Sequence, residues 1–137
     1  MAPEIGQTRD VGFEIGVSRT LPLPRQVVWD FLASPEGQAV WLGPGARLTP
    51  ERGHRYQTDE GTAGEVRSFR ELDRIRLTWR PAGWTHDTTM QVTVSGPAHA
   101  TTLRFHQEWL SDAQERERQR AHWRAVLDRV VAALGGG

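Results

Sequence analysis

Five histidines, 17 carboxylates, 17 cationic side chains and six tryptophans are the groups through which this chain can do chemistry. His106 and Glu108 have the types of a general base and of a carboxylate that orients it. They alternate with Leu103, Phe105 and Gln107 along one extended segment, so with those three inside, the pair points to water. His86-Asp87 follows Trp84 and can reach a pocket mouth, although a solvated turn is the simpler reading. His54, His86, His99, His106 and His122 lack the His-x-His, His-x-x-x-His or carboxylate spacing of a metal site. Gly43-Pro44-Gly45 has no following lysine and helix start, as a phosphate loop needs. No serine sits in a nucleophile elbow, and there is no cysteine. No catalytic residue, metal or cofactor is expected.

The elements that must position these groups are legible from periodicity. Phe13, Ile15 and Val17 alternate with polar residues as in a half-buried strand. Pro24 suits a first helical turn, and Val28, Phe31 and Leu32 form an apolar stripe behind it. Ser34-Pro35 starts a second short helix, which ends at Gly43-Pro44. Strands are expected at 54–58 and at 65–71, the latter with Val66 and Phe69 out of phase, the mark of a bulge. Ile75, Leu77 and Trp79 then share one face of a strand, Met90, Val92 and Val94 that of the next. Leu103, Phe105, Gln107 and Trp109 share a face of the last. One-sided strands fit an antiparallel sheet with one face covered. From Ser111 to Leu134 the spacing predicts one long helix, with Ser111 and Gln114 as its capping box and Trp123, Leu127, Val130 and Leu134 as its apolar stripe. Its first half, 114–120, alternates Arg and Glu and reads as a solvated face, with Glu115–Arg118 and Glu117–Arg120 as neighbours.

Composition sets the outer bounds. A chain of 137 residues fits one compact domain. All of its basic residues are arginine, lysine and asparagine are absent, and the pattern suggests GC-rich coding in a bacterial source. The formal net charge is zero, so no general attraction to nucleic acid or to acidic membranes is expected. No apolar run approaches a membrane span and no signal pattern opens the chain, so the default expectation is cytoplasmic. Residues 1–10 and 135–137 are expected to be flexible ends.

Val28-Trp29-Asp30, Ser34-Pro35-Glu36-Gly37 and Trp41-Leu42-Gly43-Pro44 resemble the opening signature of the SRPBCC (START-like, helix-grip) superfamily. The resemblance is to the branch of homologues of the activator of the heat-shock-protein-90 ATPase. Gly64-Glu65-Val66 leading to Ile75-Arg76-Leu77-Thr78-Trp79 is similar to that branch's central hairpin. Thr102-Leu103-Arg104-Phe105 is similar to its last strand, and His122-Trp123-Arg124-Ala125-Val126-Leu127 to its closing helix. The resemblance covers 11–134 and departs where the family often has histidine and glycine, here Gln107 and Trp109. It implies an α+β helix-grip domain over 11–134: a curved antiparallel sheet of about six strands, two short helices after the first strand, and the long helix across the concave face.

The same resemblance implies a cavity between sheet and long helix. Trp29 reads as core, whereas Trp41, Trp79, Trp84, Trp109 and Trp123 come from separate segments that this arrangement would bring together. Large rings with one polar N–H line pockets well and also fill small cores. The expected ligand-binding residues are Trp41, Phe69, Trp79, Trp84, Met90, Leu103, Phe105, Gln107 and Trp123, with Gln107 as the inward polar contact. The first functional reading is therefore binding of a small, largely apolar or amphipathic molecule, with homodimerisation left open. Cofactor-independent cyclase or dehydratase chemistry is the second, and a chaperone-interacting module is the third. Fold alone does not choose among them.

Overall fold

The computed structural model describes residues 7–8 and 12–135. In chain order the elements are β1 (Gln7–Thr8), β2 (Gly12–Leu21), α1 (Arg25–Ala33), α2 (Pro35–Trp41), β3 (Arg55–Gln57), β4 (Ala63–Arg70), β5 (Arg74–Trp79), β6 (Thr88–Ser95), β7 (Thr101–Leu110) and α3 (Ala113–Ala133). All pairings are antiparallel, in the order β1-β2-β7-β6-β5-β4-β3. The seventh strand, one beyond the expected count of about six, is the two-residue β1 beside Gly12 and Phe13. Most of the ends expected to be flexible lie outside the described residues. No helix among the described residues is long and apolar enough to cross a membrane.

The inward residues of β2, β5, β6 and β7 form one core with α3. Ile75, Leu77, Met90, Val92, Leu103 and Phe105 are fully buried, and so is Trp123 from the helix. This is the helix-grip arrangement that the sequence implies. Outside the core, Arg19 of β2 pairs with Asp128 of α3 at 2.6 Å, and Arg116 Nε donates to the Glu14 carbonyl at 3.0 Å. Gly64 lets β3, β4 and β5 close up, because a Cβ there would strike the Thr78 carbonyl and the Tyr56 hydroxyl. That hydroxyl donates to the same carbonyl at 2.6 Å, and burial pushes its pKa far above the usual phenol value.

Three local expectations are corrected. Trp109 does not share the inward face of Leu103, Phe105 and Gln107. Between the pairs Phe13–Leu110 and Ile15–Gln107, β7 carries one residue more than β2. Trp109 takes a left-handed backbone (φ 67°) at this bulge, turns outward to 49% exposure, and Leu110 fills the inner place. The second correction is the capping box, which lies one residue later than expected. Asp112 is the N-cap, its side chain accepting from Glu115 N–H at 2.7 Å, and the Glu115 carboxylate reaches back to Ser111 N–H at 3.1 Å. Third, the polar half of α3 is not simply a solvated face. Glu115 and Gln119 are buried, and Glu115 pairs with His86 rather than Arg118.

Candidate functional site

The tryptophans meet as a continuous set of rings. Trp123 stacks on Phe105 (centroids 5.3 Å apart, planes 17°) and lies 5.5 Å from Trp79. Trp84 meets Trp79 edge-on at 5.6 Å, and Trp41 lies tilted to Phe105 at 6.3 Å. Each ring arrives on its own element: Trp41 from the end of α2, Trp79 from β5, Trp84 from the β5–β6 loop, Phe105 from β7 and Trp123 from α3. Trp41 is fixed by its own N–H, which donates to the Leu32 carbonyl at 2.9 Å.

Gln107 lies at the centre of this set and is fully buried. Its Oε1 accepts from Trp123 Nε1 at 2.8 Å, and its Nε2 donates to Thr88 Oγ1 at 2.9 Å. Thr88 passes the chain on to the Trp79 carbonyl at 2.6 Å. The amide expected to meet a ligand therefore already has protein partners at both ends. Met90 faces Gln107 across the β6–β7 ladder, and Leu103 faces Val94. Phe69 stands apart from the other expected residues, edge-on to Trp29 at 5.7 Å.

His106 and Glu108 do lie on the convex face. They are half-covered rather than freely solvated, with His106 3.5 Å from Glu108 and 3.8 Å from Glu14. His86 departs from the solvated turn expected for it. Its ring stacks on Trp84 (4.9 Å, 16°), and its Nε2 lies 2.7 Å from Glu115 Oε1, latching the loop 81–87 to the start of α3.

One stripe of α3 links these features. Glu115, Gln119, His122, Val126 and Arg129 follow one another at steps of four and three residues, so they line one side of the helix. Glu115 holds the loop through His86. Gln119 Oε1 is the one buried side-chain oxygen among the described residues with no hydrogen-bond partner. His122, Val126 and Arg129 form one wall of an open groove of about 410 Å³ against the end of α2. Val40, Trp41, Leu42 and Glu60 contribute to the other side. A groove of this size, with an apolar floor and a few charged groups, falls in the range of small-molecule sites.

His122 is the titratable centre of the groove. The residue is exposed to solvent along one side, while its ring packs 5.7 Å from that of Trp79 and 4.7 Å from that of Trp123. Loss of hydration holds its pKa below the ordinary histidine value, Arg129 adds to the effect, and Glu60 opposes it. This histidine thus binds the proton better in the unfolded chain than in the native one, and its contribution to stability is lost as pH drops through and below 6.5. His122→Gln is expected to flatten that part of the acid limb in melting temperatures measured from pH 8 to 5. An unaltered acid limb in this variant would remove His122 from the account.

His122, Glu60, Val126 and Arg129 were not among the residues expected from the sequence to bind a ligand. The stripe spacing on α3 was readable, but Glu60 belongs to a turn whose place beside the helix is set by tertiary packing alone. Among the described residues, no three histidine or carboxylate side chains are placed to hold a metal ion.

A seven-stranded grip around one helix, with a mixed groove at the exit of α2, defines a helix-grip domain of the START-like kind. The chain belongs to the family described as Activator of Hsp90 ATPase homolog 1-like protein, whose profile matches residues 22–135. Among solved structures it is similar to DynU16, from the dynemicin biosynthetic locus (TM-score 0.77, 22% identity, 88% of this chain and 46% of that one). CalU16 from Micromonospora echinospora is similar at TM-score 0.76 and 17% identity, over 89% of this chain and 76% of that one. An HSP90 activator from Plasmodium falciparum, PFC0360w, is similar at TM-score 0.75 and 16% identity, over 89% and 96%. The chain spans about half the length of DynU16. At these identities the likeness concerns the fold. No curated protein sequence matches the chain.

Proposed function

We propose that this protein binds a small amphipathic molecule in the groove between α2 and α3, with its apolar part against Trp41, Leu42 and Val126. The observation that carries the reading is the groove itself, which joins an apolar floor to the charged groups of Arg129, Glu60 and His122. The floor is continuous with the ring set through Trp41, so an occupant would alter tryptophan emission.

The test uses 1-anilinonaphthalene-8-sulfonate as probe, titrated into the native protein while tryptophan emission is followed. Binding is expected at about micromolar strength, roughly −8 kcal/mol. Ala39 lines the groove from α2, and Ala39→Trp should fill it and weaken binding at least tenfold while the fold stays intact. Undiminished binding in that variant would place the probe elsewhere and end the proposal.

A second reading rests on His122. A histidine whose pKa is lowered by burial and by Arg129, with Glu60 opposing, has the character of a general base, which suits the cyclase or dehydratase alternative. The protein-interaction alternative has less support. The large apolar residues exposed among those described are Val27, on α1 after the Leu21 end of β2, and Trp109, at the β7 bulge beside the Phe13 end, so they do not form one patch.

A further inference from the structure

The convex face of the sheet is divided by charge. Over β2 and β7 carboxylates are interleaved with the cationic groups: His106 lies between Glu14 and Glu108, and Glu108 takes Arg76 at 3.3 Å. Arg104, the one arginine of β7, stands without an ion pair among the described residues. Over β4 and β5, arginines face arginines. Arg70 and Arg74 stand directly opposite one another in the ladder, an unfavourable cross-strand pair. Arg67 sits at the β4 bulge between Val66 and Ser68. Arg52 comes from the loop that Gly53 N–H pins to the Val66 carbonyl at 2.8 Å.

With Arg76, these four arginines line one open groove of about 510 Å³. Arg76 is matched by Glu108, and Arg67 has Glu65 at 3.8 Å. Among the described residues, Arg52, Arg70 and Arg74 form no ion pair, and the carboxylates of Glu71 and Asp73 in the turn between β4 and β5 pair with none of them. Arg74 is held in place by its Nε donating to Ser68 Oγ at 3.3 Å.

We propose that this groove binds a compact polyanion, a small molecule carrying two or more phosphate groups. Guanidinium forks from several strands can each take phosphate oxygens, whose tetrahedral array accepts from several directions. No aromatic or aliphatic residue lines the groove, so it offers no platform for a base or an acyl chain. The occupant is therefore recognised by its charge alone. The unfavourable Arg70–Arg74 pair is the counterpart of that: it is relieved when an anion bridges it. This site lies on the face of the sheet opposite α3 and is independent of the groove between the helices.

Calorimetric titration of the full chain with sodium tripolyphosphate at low ionic strength tests it. One molecule is expected to bind per chain, at least tenfold more tightly than orthophosphate, and to weaken as salt is added. The double variant Arg70→Gln/Arg74→Gln should lose at least tenfold in affinity. Arg19→Gln, which removes an arginine already paired with Asp128, should lose nothing. Without anion, the double variant should melt at or above the wild-type temperature, because a repulsive pair has gone. Equal losses in both variants, a double variant that binds as wild type, or one that melts lower would overturn the assignment. Tighter binding of an oligoglutamate peptide than of tripolyphosphate would also overturn it, in favour of an acidic protein segment.

Discussion

Trp123→Ala is expected to lower the stability of the domain by about 3–5 kcal/mol, a large share of the roughly 5–15 kcal/mol that holds a domain of this size folded. The indole is fully buried, stacks on Phe105 and touches Trp79. Its removal takes apolar surface out of the core and leaves a void bounded by rigid rings, which close up poorly. It also strips Gln107 Oε1 of its donor. Trp123→Phe separates the two contributions: the ring contact largely survives and the hydrogen bond does not, so a cost of about 1–3 kcal/mol is expected from the stranded amide. Urea midpoints at an unchanged slope give both values. The experiment also bears on the site. Were the rings the walls of an open, wet cavity, truncating one would be cheap, and a cost below about 1 kcal/mol would favour that arrangement over a closed set of stacked rings.

The sequence carried most of the membership of this set, with Trp109 and Phe69 as the exceptions, but not its geometry. Ile75, Leu77 and Trp79, or Met90, Val92 and Val94, alternate cleanly, and each fell on the buried face. Alternation is a local property and survives as long as the ladder is regular. Trp109 shows where it ends: the extra residue on β7 is defined only against β2, almost a hundred residues away, so nothing near Trp109 signals the flip. The polar half of α3 misled for a related reason. Glu115 is buried because Ser111 and His86 come to meet it, and while Ser111 is a local cap partner, His86 is tertiary. Spacing could show that Gln119, His122, Val126 and Arg129 share a side of the helix. That the end of α2 stands opposite is decided by the corner between α1 and α2.

That corner depends on Gly37, and Gly37→Ala is expected to cost about 3 kcal/mol, at the upper end of the overpacking range. Two effects compete. Within a helix, alanine is favoured over glycine by about 1 kcal/mol, so propensity alone predicts a stabilised protein. Gly37, however, lies against the preceding helix so closely that a Cβ would overlap the Phe31 carbonyl oxygen, a backbone atom that cannot turn aside. Steric cost wins, and the sign of the result is the test. The contact is made by Ser34, whose hydroxyl donates to that same carbonyl at 2.8 Å and accepts from Gly37 N–H at 2.9 Å, folding the end of α1 onto the start of α2. Ser34→Ala, which deletes the cap but adds no atom, should cost only about 1 kcal/mol. Downstream, α2 carries Ala39, Val40 and Trp41 into the groove, and Gln38 anchors it by donating to the Ala33 carbonyl and accepting from Leu48 N–H. Displacing α2 at Gly37 should therefore weaken probe binding in the groove as well as stability, whereas Ser34→Ala should spare the binding. A Gly37→Ala protein that melts above wild type would mean that the two helices can part without loss, and the corner would then not be what positions the groove.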